Sequence, residues 1–191
     1  WNKGCMKKLV ILISFFYSIL LGQSDIDNAA KYTLNLNRET VRSGEVTSLM
    51  VRVMMMKDYY MYSSHPEKSL SPTIIEWEDS SYYDAVGILH EPEPKIKYDP
   101  MFEMEIGYHT HSVQFKQDLQ IAQDLMPGDY SINGTFIYQV CDPSRCIPHW
   151  DDFSIDLKVL SGEAKAGFVS SIQMEYKANE ISTIRSASNI E

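Results

Sequence analysis

The sequence predicts an all-β fold, an antiparallel β-sandwich of short strands. Three observations carry that expectation. Apolar and polar residues alternate in runs between residues 32 and 160, turn-forming residues separate the runs, and no stretch repeats convincingly at helical spacing. Strands of this kind each bury one face, so they must pair into sheets that cover one another. Their spacing fits an immunoglobulin-like sandwich, although a barrel gives a similar pattern.

The elements follow in chain order. Tyr32-Thr33-Leu34-Asn35-Leu36 alternates and reads as a first strand. Arg42-Ser43-Gly44-Glu45 is a turn, after which Leu49, Val51, Val53 and Met55 share one face with Arg52 on the other. Met50, Met54, Met55, Met56 and Met61 raise the idea of a soft-metal site. Flexible Met also fills cores and covers surfaces, and that reading is preferred. Glu76, Glu78 and Asp79 read as a solvated acidic turn.

Glu91 to Gly107 carries Pro92, Pro94 and Pro100, each lacking a ladder donor, so this stretch is expected to be a long surface loop rather than a central strand. Alternation returns at Val113-Gln114-Phe115 and Leu119-Gln120-Ile121. Beyond the turn Pro127-Gly128-Asp129, the run from Tyr130 to Cys141 sets Ile132, Phe136, Tyr138 and Val140 on one face. A last strand faces Phe153, Ile155, Leu157 and Val159 inward, with Ser154, Asp156 and Lys158 outward.

With 191 residues, the chain is long enough for one domain with a sizeable core. Its 44% hydrophobic and 23% charged residues describe a globular protein. A net charge of −9 without a basic cluster excludes a nucleic-acid partner, because phosphate binding needs surplus Lys and Arg. Met6-Lys7-Lys8 followed by the apolar run Leu9 to Leu21 and then Gly22-Gln23-Ser24 has the layout of a secretory signal peptide. That run is shorter than the ~20 residues a spanning helix needs, though an uncleaved anchor is the alternative. Residues 1–24 are therefore expected to be a leader, with Trp1 to Cys5 as extra residues before an initiator Met6. Residues 25–161 form the domain, and 162–191 a polar tail or linker. The exported domain keeps two cysteines in a compartment that permits disulfides.

Those cysteines carry the functional signal. A strand runs directly into Cys141, Asp142-Pro143-Ser144 forms a turn, and the chain returns to Cys146. A tight loop of this kind can bring two Cα atoms within the ~4.4–6.8 Å that a disulfide requires. A cross-link over so few residues restricts the unfolded chain little, which suits a bridge that opens and closes better than one built for stability. Arg145, beside Cys146, is expected to lower that thiol's pKa, and His149 to do the same if it faces the pair. An inert hairpin staple has the same spacing and stays open as an alternative.

The segment Tyr138-Gln139-Val140-Cys141-Asp142, with Cys146-Ile147-Pro148 after it, resembles the active-site segment of the N-terminal periplasmic domain of the thiol:disulfide interchange protein DsbD. Asp58-Tyr59-Tyr60-Met61-Tyr62-Ser63, Ser71-Pro72-Thr73, the proline-rich Glu91 to Pro94 and the Tyr98 to Phe102 segment extend the resemblance upstream in the same order. It implies an immunoglobulin-like domain that takes electrons from a membrane-embedded partner domain and hands them to thioredoxin-fold proteins in the periplasm, as in cytochrome c maturation. Carried over by position, Cys141 and Cys146 are the redox pair, and Cys146 forms the mixed disulfide with partners. The family's cap loop bears an aromatic residue matched by Phe102, with Asp99 nearby, while Tyr60 and Tyr62 match tyrosines close to the pair. The loop between the cysteines departs in length from that of some members. The sequence has no multi-span region and no thioredoxin domain, so it reads as part of a longer protein or as a separate subunit.

No cofactor is called for. His109 and His111, two apart on an expected strand, suggest a metal site with the cysteines and His149, but solvated histidines are the preferred reading. Asn133-Gly134-Thr135 fits a glycosylation sequon, read as incidental. The rival to a redox module is an exported, non-catalytic immunoglobulin-like binding domain whose disulfide is structural.

Overall fold

The structure, a computed structural model, describes residues 29–99 and 103–168. Among them are eleven strands: β1 (Ala30–Leu36), β2 (Thr40–Arg42), β3 (Val46–Met55), β4 (Tyr60–Tyr62), β5 (Ile74–Trp77), β6 (Tyr83–His90), β7 (Lys95–Asp99), β8 (Met104–Thr110), β9 (Ser112–Ile121), β10 (Gly128–Cys141) and β11 (Cys146–Leu160). Only two short 3₁₀ turns, at Pro66–Lys68 and Ala166–Phe168, are helical among the described residues.

Two sheets face each other. One has the order β1-β3-β9-β6; the other runs β2-β11-β10-β4-β8-β7, with β5 also paired to β10. Pairing is antiparallel except for β2, which lies parallel to the end of β11. The fold is an immunoglobulin-like β-sandwich, as expected.

The core follows from the alternation. Leu49, Val51, Val53, Phe115, Leu119 and Ile121 of the first sheet meet Met61, Ile132, Phe136, Val140 and Leu157 of the second, all buried. Phe136 stacks on Tyr138 with ring centroids 4.6 Å apart, and Tyr32 closes on both rings edge-on. Each such buried side chain contributes roughly 1.5–3 kcal/mol through area removed from water. Met55 packs inward while Met54 and Met56 are exposed, so the methionines divide between core and surface.

Two glycines are required by geometry. Gly44, with φ +76°, completes the turn from β2 to β3. Gly134 lies where a Cβ would sit 2.6 Å from the Glu76 carbonyl oxygen, so any side chain would push β5 away from β10.

The sequence misreads one region. Glu91 to Gly107, expected to be a loop, instead carries β7 and the first half of β8, which pair antiparallel through Lys97↔Ile106. Pro92 and Pro94 lie before β7, and Pro100 follows it, so no proline occupies either strand. The expected tail begins with packed residues. The Lys165 amide donates to buried Glu45 at 2.9 Å, and the Arg38 guanidinium sits 3.7 Å over the Phe168 ring. The expected leader, residues 1–24, and residues 169–191 lie outside the described residues. Within those described, no helix is long and apolar enough to cross a membrane.

Candidate redox site

Strands β10 and β11 form the longest hairpin, paired from Gly128↔Val159 to Cys141↔Cys146. This register leaves the two cysteines directly opposite at its closed end, with Cα atoms 4.0 Å apart and the sulfurs bonded at 2.00 Å. The linking turn is organised by one carboxylate. Asp142 Oδ1 accepts from the Ser144 amide at 2.7 Å, the Ser144 hydroxyl at 2.6 Å and the Arg145 amide at 3.0 Å. The two donors of Ser144 come first among the causes that hold the Asp142 carboxyl below the usual carboxylate range. Arg145, half-exposed, directs Nε to Asp142 Oδ2 at 3.6 Å, so its charge lies beside an anion.

Side-chain alternation decides what surrounds the disulfide. Along β10 the even-numbered residues face the main core, and Cys141 faces the opposite side of the sheet. There, Cys141, Tyr62 and Ile106 form a small second cluster with Tyr60, Met104 and Cys146 packed against it. Cys141 is wholly buried, whereas Cys146 is partly exposed. The pairs Cys141↔Tyr60 and Tyr62↔Tyr108 carry this face from β10 through β4 to β8.

The Tyr62 hydroxyl lies 3.9 Å from Cys146 Sγ. Tyr60 meets Tyr62 and Tyr108 edge-on at 5.9 and 5.6 Å, and Lys97 Nζ sits 4.0 Å above the Tyr60 ring. Burial first, then the Tyr60 phenol to which it is hydrogen-bonded, and last Asp99, raise the Tyr62 phenol above its ordinary value; Tyr60 is raised too, again chiefly by burial. Both phenols are therefore neutral at physiological pH.

Cys141, Cys146, Tyr60 and Tyr62 thus come together, with Asp99 on the same face at the end of β7 and Arg145 in the turn. His149 does not join them. Its ring stacks on Tyr138 at 4.7 Å, on the core side of β11, because three residues along a strand reverse the face. Phe102 lies outside the described residues.

Lys97, Met104 and Ile106 are site neighbours that the loop reading concealed, and Tyr108, just past the expected loop, is another. Their signal was the alternation in Lys95-Ile96-Lys97-Tyr98-Asp99 and in Met104, Ile106 and Tyr108. His109 and His111 do not share a strand face. His109 is buried, with Nε2 3.0 Å from Glu91 Oε2, whereas His111 is a turn residue at φ +66°. Among the described residues, no cluster of three His, Cys, Asp or Glu could hold a metal ion.

Residues 34–157, which include both cysteines and the tyrosines beside them, match the family described as "Thiol:disulfide interchange protein DsbD, N-terminal". The chain belongs to this family. No match to a curated protein was found.

Among solved structures, the N-terminal periplasmic domain of ScsB from Proteus mirabilis superposes with a TM-score of 0.50 at 18% identity, covering 84% of this chain and 55% of that one. The chain thus spans about half of that protein's length, and the likeness is one of fold. The reduced DsbD N-terminal domain of Neisseria meningitidis gives a TM-score of 0.43 at 16% identity, covering 77% and 94%. A complex of the DsbD and PilB N-terminal domains from Neisseria meningitidis gives 0.39 at 13%, covering 70% and 86%.

Proposed function

We propose that this chain is an exported electron relay, taking electrons from a membrane-embedded donor and delivering them to thioredoxin-fold proteins in the periplasm through Cys141 and Cys146. The observation that carries this reading is the unequal burial of two bonded cysteines at the end of a hairpin. One sulfur-bearing residue is within a partner's reach, and the other waits beneath it.

The chemistry balances without metal or organic cofactor. In the reduced domain the Cys146 thiolate attacks one sulfur of a partner's disulfide. A mixed disulfide forms, and the partner's second sulfur leaves as a thiolate that takes up a proton. Cys141 then loses its proton and attacks Cys146 Sγ, closing the intramolecular bridge and releasing the partner's first sulfur. Two electrons and two protons pass to the partner. The donor reverses these steps. The neutral Tyr62 hydroxyl stands beside Cys146, where it can donate to the thiolate, and Tyr60, Tyr62, Asp99 and Phe102 are the residues that the resemblance matches to the family's cap and to tyrosines close to the pair. Arg145 contributes positive charge at the turn, and His149 acts on the pair at most through the hairpin backbone.

The deciding test is trapping. A Cys141→Ser variant is expected to accumulate a mixed disulfide through Cys146 with a thioredoxin-fold protein, and Cys146→Ser is expected to accumulate none. A reduction potential below about −300 mV together with no trapped species would make the bridge a staple.

A further inference from the structure

Three rows of side chains lie side by side on the site face of the β10–β11 hairpin. Cys146 and Cys141 form the first with Tyr60, Pro148 and Gln139 the second, and Trp150, Ile137 and Ile74 the third, across β11, β10 and β5. Ile147 and His149 point the other way, into the core, which fixes Cys146, Pro148 and Trp150 on one side. Trp150 is 64% exposed, an unusual state for the largest apolar side chain on a sheet surface.

We propose that this stripe is a docking surface for the thioredoxin-fold partner, which lays the apolar surface around its own reactive cysteine over Pro148 and Trp150. The proposal rests on the exchange reading above, and covalent geometry drives it. A mixed disulfide at Cys146 holds the partner's Cα within ~4.4–6.8 Å, while a protein interface covers roughly 800 Å² on each side, so the partner must spread over what adjoins Cys146. Trp150 lies four residues along the strand, about 13 Å away and inside that footprint.

Among the described residues, the other directions offer less. Towards β8, Tyr60 and Tyr108 are packed against each other beneath Lys97, and Ile106 is wholly buried. Past the closed end, Pro143, Ser144 and Arg145 are a small, mostly polar turn. Ile96 and Tyr98 are exposed, but they alternate with Lys97 and so project from the far face of β7. The apolar surface continuous with the exchanging sulfur therefore runs to Trp150, a residue type enriched where interfaces concentrate their energy.

The test compares two oxidants of the reduced full chain in stopped flow. Oxidised thioredoxin presents a protein surface, and glutathione disulfide is too small to span from Cys146 to Trp150. Trp150→Ala is expected to slow reaction with thioredoxin on the order of tenfold, Trp150→Phe to restore most of the rate, and both to react with glutathione disulfide within about twofold of the parent. Equal thioredoxin rates for parent and Trp150→Ala would overturn the proposal, as would equal slowing with both oxidants. A dimer of the parent that Trp150→Ala dissolves would also overturn it, by assigning the stripe to a second copy. If the parent chain reacts with neither oxidant, the exchange reading itself falls; if it reacts with glutathione disulfide alone, only the partner assigned here falls.

Discussion

At Cys146, reactivity depends on how its thiolate is held. The Tyr62 hydroxyl, 3.9 Å from Sγ and kept neutral by burial, is a donor placed for the charged form. Tyr62→Phe leaves the ring packed and removes that donor. The Cys146 thiol pKa in the reduced protein is expected to rise by up to about one unit, read from thiolate ultraviolet absorbance against pH. An unchanged titration would assign Tyr62 to packing alone. The opposition of the two cysteines was legible in the sequence because a strand–turn–strand pattern fixes which residues face each other, whereas Tyr60 and Tyr62 came only from the family resemblance. The unequal burial of the cysteines was not legible, since Cys141 is covered by Tyr62 and Ile106 from strands far away in the chain. His149 shows the reverse: its odd spacing from Cys146 already implied the opposite face.

One element positions the tyrosines, and it is held by a buried carboxylate. Glu91, between β6 and β7 with its side chain wholly inaccessible, accepts from the Ser63 hydroxyl, from the Ser64 amide at 2.9 Å and from His109 Nε2 at 3.0 Å; His65 Nε2 stands 3.8 Å away. Ser63 follows Tyr62 directly, so this clasp fixes the exit of β4 while Thr73 Oγ1 donates to the Tyr62 carbonyl. Burial pushes the Glu91 carboxyl up, but the donors of His109, Ser63 and Ser64 together outweigh it and hold the group below its ordinary value. A lowered folded-state pKa means the stabilisation is full above the unfolded value, about 4.3, and is lost as pH falls through the lower folded value. Glu91→Gln is expected to cost about 1–3 kcal/mol at neutral pH and to flatten the acid limb of stability, measured by urea unfolding across pH. The β7–β8 hairpin beside this clasp was hidden because three prolines in the Glu91–Gly107 stretch suggested a loop. Proline bars a ladder only at its own position, and the bounds of β7 and β8 include none of the three.

For the molecule as a whole, stability and redox state are nearly separable. The core of Phe115, Phe136 and their neighbours sits between the sheets, while the disulfide belongs to the small cluster on the outer face. Closing so short a loop removes about 2 kcal/mol of unfolded-state entropy. Reduction is therefore expected to lower the unfolding free energy by no more than that and to leave the far-ultraviolet circular dichroism unchanged; unfolding on reduction would mark the bridge as a structural staple. The overall sandwich was legible because its central strands alternate strictly. Short β4 and β5 were missed because a run of three or four residues offers too few alternations to register. The turn between the cysteines makes its hydrogen bonds inwardly, on Asp142, and projects from the edge of the packed body. Lengthening or recomposing those four residues is thus a way to retune the couple while the scaffold stays untouched, which makes this segment the natural place for relatives to diverge and for an engineer to begin.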